Sequence, residues 1–388
     1  PESDRIVPQR EGQTFSINAR TNGVYYTSAS VSFLEPWLGG KRPNSLSASV
    51  FFASQTGYSD RYYKAYQNLY NTYYNYYSYS GQSDYYQQLQ ESEADPEKYL
   101  RTFGVSVGYG KRLSWPDDYF SFYGELSYQM YMMKDWPYMI LTDGTSHNFA
   151  LNLQLSRSSI DNPIYTRRGS QFTLGLKITP PYSLIRGAIS EGNQPDYAQM
   201  TPSEKYNLLE YHKWKFSGKV FTPLTPDAKL VLMTRAEFGY LGHYNKNVKS
   251  PFESFYMGGD GMSSYSSYST EYISMRGYQS GSLTPYDPAV GRNMGYVYNK
   301  FTMELRYPIS LEQNATIWAL AFVEAGNCFA DIKDYNPFKL KRSAGVGVRL
   351  FLPMFGLMGI DWGWGFDPIN GSKQYGGSQF HFVLGQEL

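Results

Sequence analysis

The chain has 388 residues and a net charge of +1, which excludes the one-signed basic field of a nucleic-acid binder. Its single cysteine, Cys328, excludes an internal disulfide, and no run approaches the roughly 18 apolar residues of a membrane-spanning helix. Aromatic residues reach 18%, with 39 Tyr against 4 His, and 36 Gly and 21 Pro are scattered throughout; that mixture fits a transmembrane β-barrel, whose signal per segment is weak.

The opening "PESDRIVPQR" lacks the apolar core of a secretion signal, so a signal is expected to have been removed or the chain to be a segment of something longer. Period-two alternation then predicts fourteen strands, at about 13–21, 24–34, 44–55, 101–112, 118–133, 147–157, 169–179, 212–222, 228–241, 296–308, 315–328, 341–352, 355–367 and 378–388. In "YNKFTMELRYP" Phe301, Met303, Leu305 and Tyr307 share one face, and Lys300, Thr302, Glu304 and Arg306 the other. In "MGIDWGWGF" Met358, Ile360, Trp362, Trp364 and Phe366 face one way, and Gly359, Asp361, Gly363 and Gly365 the other. A charged, glycine-rich face behind an apolar one is what a wet barrel interior requires.

The connections alternate between short ("LSWPD", "TPLTPD", "SLEQN", "MFG") and mostly long (56–100, 134–147, 180–211, 242–295, 329–340, 368–377). Short periplasmic turns and long extracellular loops are the pattern of an outer-membrane barrel in a Gram-negative bacterium, with the last strand ending at the periplasm. The fold class is therefore all-β, an antiparallel transmembrane barrel, with residues 1–388 as one outer-membrane barrel domain. Residues 56–100 read as a tyrosine-rich extracellular loop.

Catalysis finds no support: the four histidines have no partner at metal spacing, and HExxH, GxSxG and CxxC are all absent. No metal site or cofactor is expected. A passive pore stays open, because the loop 242–295 is long enough to fold inward and constrict a channel. That loop carries one cation between Lys249 and Arg292, namely Arg276, set between Met275 and the pair Gly277–Tyr278.

"FYMGGDG" (255–261), "SMRGYQ" (274–279), "MELRYP", "AFVEAGNCF" (321–329) and "RSAGVGVRLFLPMFGLMGIDWGWGFDP" (342–368) follow one another in an order that is similar to the closing third of the BamA family, the outer-membrane barrel assembly proteins. "FLEPWLGGKRPNSLSASV" and "GKRLSWPDDYF" resemble the versions in Bacteroidetes relatives. The resemblance implies a sixteen-stranded barrel, with its periplasmic POTRA domains and first two strands missing from this chain. It implies that the loop 242–295 folds inward, so that the motif Met275, Arg276, Gly277 and Tyr278 meets Glu304, Phe322 and Glu324 on the wall, with Asp361 as a further inward carboxylate. Removal of one partner is then expected to leave an uncompensated buried charge. It also implies a lateral gate on the last strand, at Phe380, Phe382, Leu384 and Gly385, where unfolded outer-membrane protein clients add as strands. Its implied partners are outer-membrane lipids and lipopolysaccharide, those clients, and accessory assembly lipoproteins or surface subunits. A passive pore or other outer-membrane transport barrel is the alternative.

Overall fold

The computed structural model describes residues 12–23, 25–40, 44–58, 94–136, 139–189, 196–197, 199–261, 270–288 and 292–385. Two compact units emerge. One comprises Pro1–Gly110, Glu125–Leu151 and Leu184–Leu209, the other Lys111–Gly124, Asn152–Ser183 and Glu210–Leu388.

The strands are, in chain order, β1 (Thr14–Asn22), β2 (Tyr26–Glu35), β3 (Asn44–Tyr58), β4 (Ala94–Arg112), β5 (Phe120–Lys134), β6 (Gly144–Ser158), β7 (Gly169–Ile178), β8 (His212–Pro223), β9 (Val231–Gly242), four short strands, and then five long ones. The short strands are β10 (Ser254–Met257), β11 (Thr270–Ile273), β12 (Tyr286–Asp287) and β13 (Arg292–Asn293). The last five are β14 (Val297–Glu312), β15 (Ala315–Phe329), β16 (Lys341–Leu352), β17 (Gly356–Pro368) and β18 (Tyr375–Leu384). The fourteen long strands hydrogen-bond in chain order as one antiparallel sheet, β9 pairing directly with β14, so β10–β13 lie in an insertion within that order.

Within the first unit, β1 pairs with β2 from Thr14↔Leu34 to Asn22↔Tyr26, and β2 with β3 from Tyr26↔Gln55 to Glu35↔Leu46. The second unit holds β7–β18 and carries the site. Its burial pattern is inverted relative to a water-soluble sheet. Phe301, Met303, Leu305 and Tyr307 are exposed on β14, whereas Lys300, Thr302, Glu304 and Arg306 are buried. On β17 Ile360, Trp362, Trp364 and Phe366 are exposed and Asp361 is fully buried. Leaving one large apolar side chain half exposed to water forfeits about 1 kcal/mol, so these eight together would offset much of the roughly 5–15 kcal/mol that keeps a domain folded. Hydrocarbon is the solvent in which this arrangement is stable, and a β-barrel, whose backbone groups bond between strands, is one of the two ways a backbone can cross it.

Strand boundaries depart from the alternation pattern in a few places. β3 and β4 run into the stretch expected to be loop, through Tyr58 and from Ala94; the tyrosine-rich centre, 59–93, lies outside the described residues. β14 passes Pro308, which lacks the N–H that a regular ladder uses, and the register shifts between Pro308 and Ser310 to accommodate it. β18 starts at Tyr375 and ends at Leu384, because Gly385 takes φ +75° and turns the chain off the strand line; 386–388 lie outside the described residues. Among the described residues, the long connection 180–211 contains two helices, α1 (Tyr182–Ile189) and α2 (Pro202–Lys205). "TPSE" starts α2 with a capping box, in which Thr201 accepts from the Glu204 N–H and Glu204 accepts from the Thr201 N–H.

The short connection Ser158–Arg168 packs onto the buried face. Tyr165 meets Trp318 edge-on at 5.7 Å and joins Phe221, Val231, Met233, Leu320 and Phe322 in an apolar cluster.

The exposed apolar face gives a direct test. Val346→Arg, at the middle of β16, should destabilise the folded protein in lipid vesicles by about 2–4 kcal/mol in denaturant titrations.

Candidate functional site

Register fixes what the insertion meets. Reading across β14 to β18, one row is Thr302, Glu324, Ser343, Gly365, Gly377; the next is Glu304, Phe322, Gly345, Gly363, Gln379; a third is Arg306, Leu320, Gly347, Asp361, His381. Carboxylates therefore sit on β14, β15 and β17, with glycine filling most of the wall between and beyond them.

Arg276 closes on this wall and is fully buried. Its Nε and Nη2 donate to Glu324 Oε1 at 3.1 and 2.8 Å, and its backbone N–H donates to Glu324 Oε2 at 2.8 Å. Nη2 also reaches Glu304 Oε1 at 2.7 Å, and Nη1 reaches Asp361 Oδ2 at 3.1 Å. The guanidinium lies over the Phe322 ring, 3.6 Å from its centroid, which adds a desolvated cation–π contact worth up to about 2 kcal/mol. A planar fork with donors on three nitrogens can serve three acids and a ring face together; a lysine ammonium cannot.

Each acid already holds a wall cation. Glu304 accepts from Arg306 at 2.6–2.8 Å, Asp361 from Arg349 at 2.5 and 2.7 Å, and Glu324 lies 3.2 Å from Lys300 Nζ. Three acids and three wall cations balance before the loop arrives. The expectation that losing Arg276 would strand a buried acid is thereby corrected: such a loss leaves the wall paired and frees the loop. Losing a wall carboxylate is the graver change, since it leaves two buried cations facing each other.

The rest of the motif packs where glycine has cleared the wall. Gly277 adopts φ +81°, and a Cβ there would lie 2.8 Å from the Gly365 nitrogen and 2.9 Å from Ser343 Cβ. Cβ atoms at Gly365 or Gly376 would come within 2.5 Å of the Gly277 carbonyl. The inward glycines of β17 and β18, Gly363, Gly365 and Gly376, thus make a bare patch on which the loop backbone rests. Gly277 N–H donates to His381 Nε2 on β18 at 2.8 Å, and the buried Tyr278 hydroxyl donates to the Arg342 carbonyl at 2.9 Å. Met275 is buried and exchanges both backbone bonds with Gly259.

A second contact holds the same insertion to β7 and β8 with charges reversed. Glu253 pairs with Lys177 at 2.5 Å and Lys213 at 3.0 Å; Glu271 pairs with Lys213 at 2.8 Å and with Lys215. Burial pushes the Glu253 carboxyl pKa up, but Lys213 and Lys177 outweigh it and hold it at about 2. Glu253 also sits at φ +68°, a left-handed conformation unfavourable for a side chain with a Cβ, so its two ion pairs hold a strained backbone.

The expected gate residues keep their side chains apart from this network, while the Phe382 N–H donates to Asp260 Oδ2 of the insertion at 3.0 Å. Phe380, Phe382 and Leu384 are exposed on the apolar face of β18, and Gly385 lies past the strand, donating to the Leu357 carbonyl at 2.7 Å. Among the described residues no cluster of His, Cys, Asp and Glu could hold a metal.

Comparison with known proteins agrees with this geometry. The Omp85 superfamily domain model matches residues 10–388. The chain belongs to the Omp85 superfamily. The BamA structure from Haemophilus ducreyi lacking POTRA domains 1–3 is similar to this Omp85 chain with a TM-score of 0.59 at 16% identity, covering 96% of this chain and 64% of that one. CdiB from Escherichia coli is similar with a TM-score of 0.51 at 10% identity, covering 92% and 52%. At such identities the likeness is one of fold, that of the transmembrane β-barrel, and the chain spans less than two thirds of either relative. No curated protein matches the chain in sequence.

Alternation puts Lys300 and Arg306 on the charged face without giving either a role; the match of Lys300, Arg306 and Arg349 with the three acids is a finding of the structure. Nothing in the sequence marked His381, Glu253 or Glu271 as contacts of the insertion, because each is defined by a partner more than 35 residues away. Gly277→Ala combines backbone strain with overlap on β16 and β17, so the motif should lift off. Limited trypsin digestion mapped by mass spectrometry should then cut after Arg276, a bond that stays intact in the wild-type protein.

Proposed function

We propose that this Omp85 barrel sits in the outer membrane of a Gram-negative bacterium and folds and inserts other β-barrel proteins there through a lateral gate on β18. The observation that carries this reading is the buried Arg276 anchor. It joins the 242–295 insertion to β14, β15 and β17, and the adjacent Gly277 N–H extends the hold to β18. A passive pore needs a solvated constriction, whereas here the motif is packed dry against the wall. Client strands would pair with the β18 edge by β-augmentation, main-chain hydrogen bonds supplying affinity that is independent of client sequence. No bond is made or broken in such a process, so the chain is not an enzyme in this reading.

Residues 1–388 would form the barrel domain alone, with POTRA domains and two further strands belonging to the whole protein. The lipids and lipopolysaccharide around it, unfolded clients and accessory lipoproteins or surface subunits would be its partners. The fold likeness to CdiB favours a second reading, transport of a protein across the membrane, since the superfamily also includes transporters.

Depletion of the wild-type protein with complementation by variants separates these. Arg276→Ala and Arg276→Lys should each reduce the steady-state level of several unrelated outer-membrane barrels, the lysine variant nearly as much as alanine. Normal levels in both variants would refute the insertase reading, and loss of one secreted protein only would favour transport.

A further inference from the structure

The connection Ser158–Arg168 links β6 to β7, yet its side chains reach strands well beyond both. Tyr165 meets Trp318 of β15, four places from β7 in the sheet order, and its hydroxyl donates to the Lys229 carbonyl at 3.1 Å. Ile160 and Ile164 pack against the same apolar cluster, as do Phe351 of β16 and Leu357 of β17. A segment that starts at β7 and lands on β15 runs inside a barrel and not along its rim.

The turn is built to lie against an apolar surface. Asn162 Oδ1 accepts the N–H groups of Ile164 and Tyr165, at 2.8 and 3.2 Å, and the Asn162 carbonyl accepts the Thr166 hydroxyl at 2.6 Å. Asp161 Oδ1 accepts from the N–H groups of Arg167 and Arg168. These backbone donors are satisfied within the turn, so it needs no water to sit there. At its root Arg157 donates to Asp117 Oδ2 at 2.9 Å and to Ser170 Oγ at 3.0 Å. The wall it meets changes to match. Along β15 the inward residues run Glu324, Phe322, Leu320, Trp318 toward the short-turn end, and along β9 they run Arg235, Met233, Val231. Phe322 belongs to both regions, one face under the Arg276 guanidinium and its ring in the apolar cluster.

We propose that the turn 158–168 is a built-in stopper, a water-excluding barrier to ions that stands whether or not the 242–295 insertion is seated. An apolar constriction stops ions by shedding water, because nothing in it replaces their hydration shell. The buried Val231, Met233 and Trp318 make such a constriction with Tyr165. The charge balance that lets Arg276 leave its acids would otherwise open a leak each time the motif lifted. The stopper excludes a passive pore and is independent of whether clients are inserted or transported.

Conductance of the full-length protein in planar lipid bilayers tests this. Wild type and Gly277→Ala should both stay silent, with trypsin cleavage after Arg276 confirming that the motif has lifted in the variant. Adding Ile164→Asp and Tyr165→Asp, which put charge into the cluster, should bring steady ion conductance. Adding Tyr165→Phe, which keeps the ring, should not. Conductance from Gly277→Ala alone would overturn the proposal, because the insertion would then be the barrier. So would a silent triple variant that still folds, judged by its heat-dependent shift in gel mobility. If the charged variant does not fold, a thiol introduced by Met233→Cys gives a second measurement. It should resist a water-soluble maleimide while the turn is intact and react once Tyr165→Ser loosens it, mass spectrometry separating that site from Cys328. Equal labelling with and without Tyr165→Ser would also sink the idea.

Discussion

A fully buried guanidinium is the constraint on which the rest depends. Taken from water alone it would cost several kcal/mol, and it is stable here because three carboxylates and a phenyl face meet it at once. No two of those acids are on the same strand. Their convergence requires β14, β15, β16 and β17 to hold register, so the ion cluster works as a check on strand alignment as well as an anchor. A slip of one residue on β15 would turn Glu324 out to the apolar face and bring Val323 or Ala325 inward.

Charge balance explains how such a site can release its occupant. The wall acids are matched by Lys300, Arg306 and Arg349, and the loop adds a fourth cation. With the loop withdrawn, no wall acid is left bare. Bonds of Arg276 are exchanged for water, while the carboxylates keep their resident partners. A wall with unmatched acids would hold the arginine harder and could not let it go without large cost.

The insertion is held at both of its ends of contact by opposite logic. At β7 and β8 the wall supplies lysines and the loop supplies Glu253 and Glu271; at β14–β17 the wall supplies the acids and the loop the arginine. This reversal fixes direction, since swapping the two attachments would set like charges against like. Glycine does the remaining work: removing side chains from β17 and the start of β18 lets the Gly277 backbone sit on the sheet. The same stripe leaves little side-chain packing on that stretch of wall, so order there comes from the loop lying on it.

Much of the fold was legible in the sequence, because a strand with lipid on one side must alternate and no tertiary contact can override that. All fourteen long strands were found within a few residues, apart from the early start of β4. The departures fell where single residues change backbone behaviour, at the Pro308 bulge and the Gly385 turn. Met275–Tyr278, Glu304, Phe322, Glu324 and Asp361 were named together through the family resemblance, alternation supplying only the inward direction of the acids, and in the structure these residues meet. What tertiary structure alone decided is the pairing across distance: which cation each acid keeps, that glycines at 363, 365 and 376 clear room for one loop backbone, and that Asp260 meets Phe382 more than a hundred residues away. Alternation tells which way a side chain points, and it carries no information on what will be waiting there.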